Sequence, residues 1–199
     1  HCESVIEVAE SVGFEIKGIL DLPEKLGTKV LDYTVIGNDN DIIKYINCCK
    51  FIVTLGFIKN PLPRIHLHEK IINAGGSFAT LIAPSAHVSK YAEIGKGTVI
   101  MNQACVNAGA KIGFGCIINT FSDIEHNVVI GDYTHVSTGA MINGDCKIGD
   151  SCFIGSQSVM VNGVNIVSGC LIGAGAEVRK DITLKGLYAG NPASLKTLL

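Results

Sequence analysis

Every sixth residue from Ile82 to Val178 is a large aliphatic, and the phase never slips. The series holds seventeen positions, sixteen of them Ile or Val and the other Met160. Two residues before each, the side chain is usually small: Ala86, Ala92, Thr98, Ala104, Ala110, Cys116, Ser122, Thr134, Ala140, Cys146, Cys152, Ser158, Cys170 and Ala176. A beat of six fits neither the 3.6-residue turn of an amphipathic helix nor the two-residue alternation of a strand. It fits a solenoid with three short flat faces per coil, one hexapeptide to a face, the aliphatic inside and the small residue where the wall leaves little room. Gly95, Gly113, Gly131 and Gly149 stand eighteen residues apart, each directly after an interior aliphatic, and Gly155 and Gly173 repeat the spacing elsewhere. This register predicts glycines at coil corners, where positive φ costs them little. Seventeen hexads make between five and six coils, a column about 27 Å tall at roughly 4.8 Å per coil.

Residues 1–80 keep a different rhythm. Val5, Val8, Ala9 and Val12 lie at helical spacing, GFEIKGILD reads as a strand closing on Asp21, and NDNDIIKYI reads as a helix capped by Asn38 or Asp39. KFIVTLG reads as a buried strand ending at Gly56, PLPRIHLHEKIINAGG as a helix and SFATLI as a further strand. Strands alternating with helices predict a small parallel α/β unit over 1–80, ahead of a β-helix and tail over 81–199. In such sheets ligands gather at the carboxyl ends of strands, where Asp21 and Gly56 fall. A strand and a glycine-rich turn ordinarily lead into the first helix of such a unit, so we expect a truncated N-terminus ahead of His1.

Composition narrows the compartment and the partners. The chain of 199 residues is 47% hydrophobic, yet no apolar run approaches the length of a membrane span. The net charge of −2 comes from interspersed charges without a basic cluster, which argues against nucleic acid as a ligand. None of the eight cysteines forms a C-x-x-C pair, and Cys116, Cys146, Cys152 and Cys170 occupy the small-residue position of the repeat. They read as buried fillers in a reducing compartment, and with no signal peptide the expected location is cytoplasmic. His66 and His68, on a helical stretch, read as surface groups.

Four stretches carry a resemblance: HCESVIEVAESVGFEIKGILD, LIAPSAHVSKYAEIGKGTVIMNQACVNAGAKIG, INTFSDIEHNVVIGDYTHVSTGA and YAGNPA. Through them the chain resembles the sugar O-acyltransferases of the sialic acid O-acetyltransferase type, which include bacterial N-acetyltransferases of nucleotide-linked 4-amino-4,6-dideoxy sugars such as the bacillosamine and perosamine enzymes. The resemblance implies a truncated Rossmann-like N-terminal domain that holds a nucleotide-sugar, UDP-linked by expectation. It further implies a left-handed parallel β-helix assembled as a homotrimer, with acetyl-CoA as co-substrate in the groove between adjacent copies and no metal. By match to the family motif, His126 is the catalytic base and Asn119 and His135 line the site. Gly144, Ser156, Gly173 and Ala174, with His135, border the coenzyme, and His1, Asp21 and Gly56 fall on nucleotide-sugar positions. Members commonly carry Glu or Asp directly after the catalytic histidine; here Asn127 stands there. An amide orients an imidazole but does not stabilise its cation by charge, so Glu125 or another carboxylate is expected to substitute. Leu22 follows Asp21 where a second acid is frequent.

Acetyl transfer from a thioester requires loss of a proton from the acceptor, its placement about 3–3.5 Å from the carbonyl, and a donor for the oxyanion. An imidazole suits the first task near neutral pH. His126 lies two residues beyond interior Ile124 and is therefore expected at a coil corner, projecting outward. Direct transfer is favoured over a cysteine route because most repeat cysteines sit at filler positions. An amine acceptor tolerates an unassisted histidine better than a hydroxyl does, which points to N-acetylation, with O-acetylation of sialic acid or another sugar hydroxyl as the alternative. Two other classes compete. A zinc enzyme needs three converging histidines, yet the repeat offers only His87, His126 and His135, the last two nine residues apart. A non-catalytic trimeric scaffold would need neither His126 nor a nucleotide-binding unit.

Overall fold

The computed structural model describes residues 1–199. From Leu81 to Val178 the chain winds as a parallel β-helix of two-residue strands, β6 (Leu81–Ile82) through β22 (Glu177–Val178), one for each hexapeptide. The strands stack into three walls. The first carries Leu81, Val99, Ile117, His135, Phe153 and Leu171 outward; the second carries His87, Cys105, Asp123, Met141, Val159 and Glu177; the third carries Glu93, Lys111, Val129, Lys147 and Asn165. Each pairing is parallel and advances by eighteen residues, as in Ile118 to Val136 and Ile124 to Ile142. The interior is one continuous core in which Ile100, Val106, Ile118, Ile124, Val136, Ile142, Ile154, Met160 and Ile172 are fully buried. Cys116, Cys146, Cys152 and Cys170 lie buried among them as fillers, and burial pushes the thiols of Cys116 and Cys152 up to about 12.

The corners follow a rule that corrects the glycine reading. Left-handed backbone recurs three residues after the interior aliphatic in fourteen successive hexads, from Gly97 to Gly175. Seven of these residues are not glycine: Gln103, Phe121, Asn127, Tyr133, Asp145, Ser151 and Gln157. Gly95, Gly113, Gly131 and Gly149 are not left-handed at all; they are small because the next coil passes over them. A Cβ on Gly131 would stand 2.6 Å from the amide nitrogen of Asp150, and one on Gly155 would stand 2.6 Å from that of Ala174. Close stacking of coils, not torsional freedom, selects glycine there.

The N-terminal residues form helices α1 (Cys2–Ser11) and α2 (Leu62–Asn73) with very short strands. Strands β1 (Ile19–Leu20) and β3 (Tyr33–Gly37) pair in parallel, and β2 (Lys29–Val30) adds to β3 antiparallel. Strands β4 (Lys50–Phe51) and β5 (Ser77–Phe78) pair in parallel as a separate sheet. The expected GFEIKGILD and KFIVTLG strands are thus reduced to two residues each, and β2 runs against the parallel expectation. An apolar cleft of about 1080 Å³ separates the two small sheets, lined by residues of α1, β1 and β4. The NDNDIIKYI segment is a 3-10 helix, Asp39–Lys44, closed by a reciprocal cap between Asn38 and Asp41.

This unit is seated on the first wall. Val5, Val8 and Ala9 of α1 pack on Leu81, Val99 and Met101, and Phe57 packs on Phe153 and Leu171. From α2, Arg64 is 1% exposed and makes its bonds to backbone carbonyls. It donates to Val53 at 2.6 Å, to Leu55 at 2.9 Å and twice to Gly115, and burial pushes its guanidinium down to about 10. His66 is exposed as anticipated, but His68 is fully buried, which overturns its surface assignment. It stacks on Phe78 and meets the edges of Phe114 and Tyr133; the sequence spacing showed a helix without showing that this face docks on the column. After the last coil, β23 (Gly186–Ala189) pairs with Leu171–Ile172, and β24 (Ser194–Leu198) folds back on β23 around the Gly190–Ala193 turn.

Candidate active site

His126 lies at the corner where the second wall passes into the third, and its side chain is exposed. The corner forms because Ile124 and Val128 anchor both sides in the core while Asn127 adopts φ 58°. Glu125 turns back on the chain, its carboxylate accepting the backbone N–H of His126 at 3.1 Å. Asn127 Nδ2 stands 3.5 Å from His126 Nδ1 and donates to Asp145 Oδ1 at 3.1 Å. Under the ring lies Gly144, where a Cβ would come within 2.5 Å of His126 Nε2. Gly144 therefore serves the histidine directly: only a missing side chain lets the imidazole pack this closely on the following coil. Asp145 has no counterpart among the expected site residues; the signal for it was the eighteen-residue spacing from Asn127.

The other candidates gather elsewhere on the column. His135 projects from the first wall, donates Nδ1–H to the Phe57 carbonyl at 2.9 Å, and leaves Nε2 buried without a partner. Burial pushes its imidazole down to about 4, against the pull of that hydrogen bond, so it is a neutral ring with an unused lone pair. His1 stacks beside it at 6.5 Å between ring centres, and Gly56 borders the same ring. Asn119, Ser156, Gly173 and Ala174 share the corner between the first and second walls. There Asn119 accepts the N–H of Thr120 at 2.8 Å, and the Ser156 and Ser137 hydroxyls meet at 2.9 Å. Asp21 sits at the mouth of the N-terminal cleft. Burial works to raise its carboxyl, but the Leu22 N–H and Lys25 hold it below the ordinary range.

The structure thus brings together two sets and keeps them apart. His126, Glu125, Asn127 and Gly144 occupy one edge of the prism; His1, Gly56, His135, Asn119, Ser156, Gly173 and Ala174 occupy the first wall and its other edge, with the second wall between. Within one chain His87, His126 and His135 stand on the second wall, on an edge and on the first wall respectively, and do not converge on one point.

A triangular hexapeptide solenoid with an exposed corner imidazole and a docked α/β cap defines the class of the β-helix acyltransferases. The family model for the bacterial transferase hexapeptide (six repeats) matches residues 109–144. The acetyltransferase domain of PglB from Neisseria gonorrhoeae FA1090 is 30% identical, aligned over 98% of this chain and 94% of that one, with a TM-score of 0.89. PerB from Caulobacter crescentus, solved with CoA and GDP-perosamine, is 28% identical over 98% and 92% of the two chains, TM-score 0.91. WeeI from Acinetobacter baumannii AYE shares the fold at 24% identity and TM-score 0.84, covering 96% and 93%. Among curated proteins no match was found. The chain belongs to the hexapeptide-repeat acetyltransferase family represented by the PglB domain.

Proposed function

We propose that this protein transfers the acetyl group of acetyl-CoA to the 4-amino group of a nucleotide-linked amino-deoxy sugar, with His126 as general base and direct attack on the thioester. The observation that carries the reading is the corner itself: an exposed imidazole laid over Gly144 and bracketed by Glu125 and Asn127, in a chain 30% identical to an acetyltransferase domain that has been solved with acetyl coenzyme A. The related PerB binds GDP-perosamine, so the nucleotide here is either UDP or GDP, to be decided by assay.

On this reading residues 1–80 are a Rossmann-like unit that holds the nucleotide-sugar near His1, Asp21 and Gly56, and residues 81–199 are the left-handed β-helix with its tail. His126 and the wall that carries His135, Ser156, Gly173 and Ala174 are set on different sides of one column. A complete site then forms between copies, and a homotrimer with the coenzyme in each groove satisfies that need. The exposed apolar residues Phe121 and Met141 on and beside the second wall support burial between copies. No helix is long and apolar enough to cross a membrane, and the reading places the enzyme in the cytoplasm beside its two substrates. Asn127, where a carboxylate is usual, favours an amine over a hydroxyl acceptor.

Assay of acetyl-CoA with UDP- and GDP-linked 4-amino sugars should give the N-acetyl product. His126→Ala should lower kcat/KM by about 100-fold or more. Retention of kcat/KM within about threefold, less than roughly 0.7 kcal/mol, removes His126 as base. Turnover only with hydroxyl acceptors replaces N- by O-acetylation, and no turnover with any acceptor leaves a scaffold.

A further inference from the structure

We propose that Asp145 is the carboxylate that serves His126 in catalysis, standing one coil away and anchored there by Asn127. The inference rests on the reading of His126 as the group that takes the acceptor's proton. Positions 127 and 145 are equivalent corners of successive coils, both left-handed, with φ 58° and 64°. The Asn127 amide donates to Asp145 Oδ1 at 3.1 Å. A carboxylate only accepts, so the NH2 side of the amide must face Asp145, and Asn127 Oδ1 is left against the backbone of Gly109. The backbone N–H of Asp145 donates to the His126 carbonyl at 3.0 Å, which ties the two corners together.

The amide hydrogen bond is spent on Asp145. At 3.5 Å from Nδ1, the same nitrogen is at the outer limit of a bond to the ring. What reaches the imidazole is charge, because the two contacts in series hold ring nitrogen and carboxylate within about 7 Å, a range at which a partly screened charge still acts. Transfer of the acceptor's proton to His126 creates an imidazolium, and a fixed anion nearby lowers the free energy of that state relative to the neutral ring. Three acids lie near the histidine along the chain or on the next coil. Asp123 stands on the second-wall strand that leads into its corner, Glu125 turns to the backbone N–H of His126, and Asp145 stands on the following coil. The corner of the preceding coil, residues 107–110, carries no charge. Asp145 is the acid bound to the histidine's neighbouring side chain. It is a positioning residue, since it acts without touching substrate.

Asp145→Asn retains an oxygen to accept from Asn127 and removes the charge alone. It should lower kcat about threefold while leaving the KM for acetyl-CoA within about 1.5-fold and the melting temperature unchanged. The exchange Asn127→Asp with Asp145→Asn reverses donor and acceptor, returns a carboxylate to the ring, and should restore kcat to about the parental value. A purely structural role predicts no loss of kcat in Asp145→Asn. A second readout needs no sugar: carbethoxylation of His126 by diethyl pyrocarbonate, followed by peptide mass spectrometry. Loss of the anion should speed that reaction about twofold at pH 6 and leave it unchanged at pH 8, with a smaller effect for Glu125→Gln. Parental kcat in Asp145→Asn, or an exchange variant no faster than the single one, overturns the assignment; so does equal carbethoxylation at pH 6. Inactivity of the parent towards every amino sugar would instead overturn the proposed function, and carbethoxylation would still decide the place of Asp145.

Discussion

At the scale of single residues, what matters is which groups are held against water and which are offered to it. His126 is exposed, while His68 and His135 are desolvated, and burial pushes both of the latter down to about 4. Their rings stay neutral in the folded chain but accept protons in the unfolded one near the ordinary value of about 6.5. Stability is therefore full above about pH 6.5 and declines as pH falls towards 4, each ring costing on the order of 2 kcal/mol by pH 5. Thermal melts at pH 7.5 and 5.0 should show the fall, and His68→Gln should flatten it; an unchanged slope would show that His68 does not titrate on unfolding. Gly144 offers a second test. A methyl group there would collide with the imidazole, at 2.5 Å from Nε2, so Gly144→Ala should lower kcat by about tenfold or more by displacing the base. The melting temperature should move by only a few degrees, because the change lies beside an exposed ring. Parental kcat in that variant would mean that the ring is not held over Gly144 during turnover.

Between elements, the decisive contact is the one that sets the N-terminal unit on the column. Arg64 of α2 bonds to the carbonyls of Val53 and Leu55 on one side and of Gly115 on the other, with no carboxylate partner. Such a bridge fixes the orientation of the unit relative to the first wall and hence the distance from Gly56 to His135. Arg64→Met should cost about 3–5 kcal/mol in chemical denaturation, since two buried carbonyls and one half-buried one lose their donor together. A loss below about 1 kcal/mol would mean that water or a neighbour replaces it. The left-handed corners work differently. Side chains such as Tyr133 and Phe121 accept a torsion ordinarily left to glycine, a strain of roughly 1–2 kcal/mol each that the stacked ladder on either side sustains.

For the whole molecule, the separation of the two candidate sets on one prism turns the assembly into a functional matter. The proposed homotrimer of this 21.0 kDa chain would be a particle of about 63 kDa, which light scattering checks. Subunit mixing gives a sharper test. His126→Ala disables one edge, and Ala174→Trp should block the groove on the other by bulk. Each homomer should be inactive, whereas co-assembled mixtures should recover on the order of a quarter of parental activity, because some grooves then pair two intact halves. No recovery in a mixture proven to exchange subunits would place the whole site on one chain.

The β-helix was legible from Ile82 onward because a closed solenoid admits one side-chain size at each interior position and repeats that demand every six residues. His126 was legible as a corner residue by the same count. The reason for the glycines was not, since a residue can be small for its torsion or for its neighbour, and only the stacking of Gly131 beneath Asp150 separates the two. Nor did local pattern reveal that His68 is buried, that the N-terminal strands split into two small sheets, or that Asp145 reaches Asn127. Periodicity within the chain is a local property and is written in the order of residues. Contacts between coils and between units depend on which surfaces meet, and folding in three dimensions alone decides that.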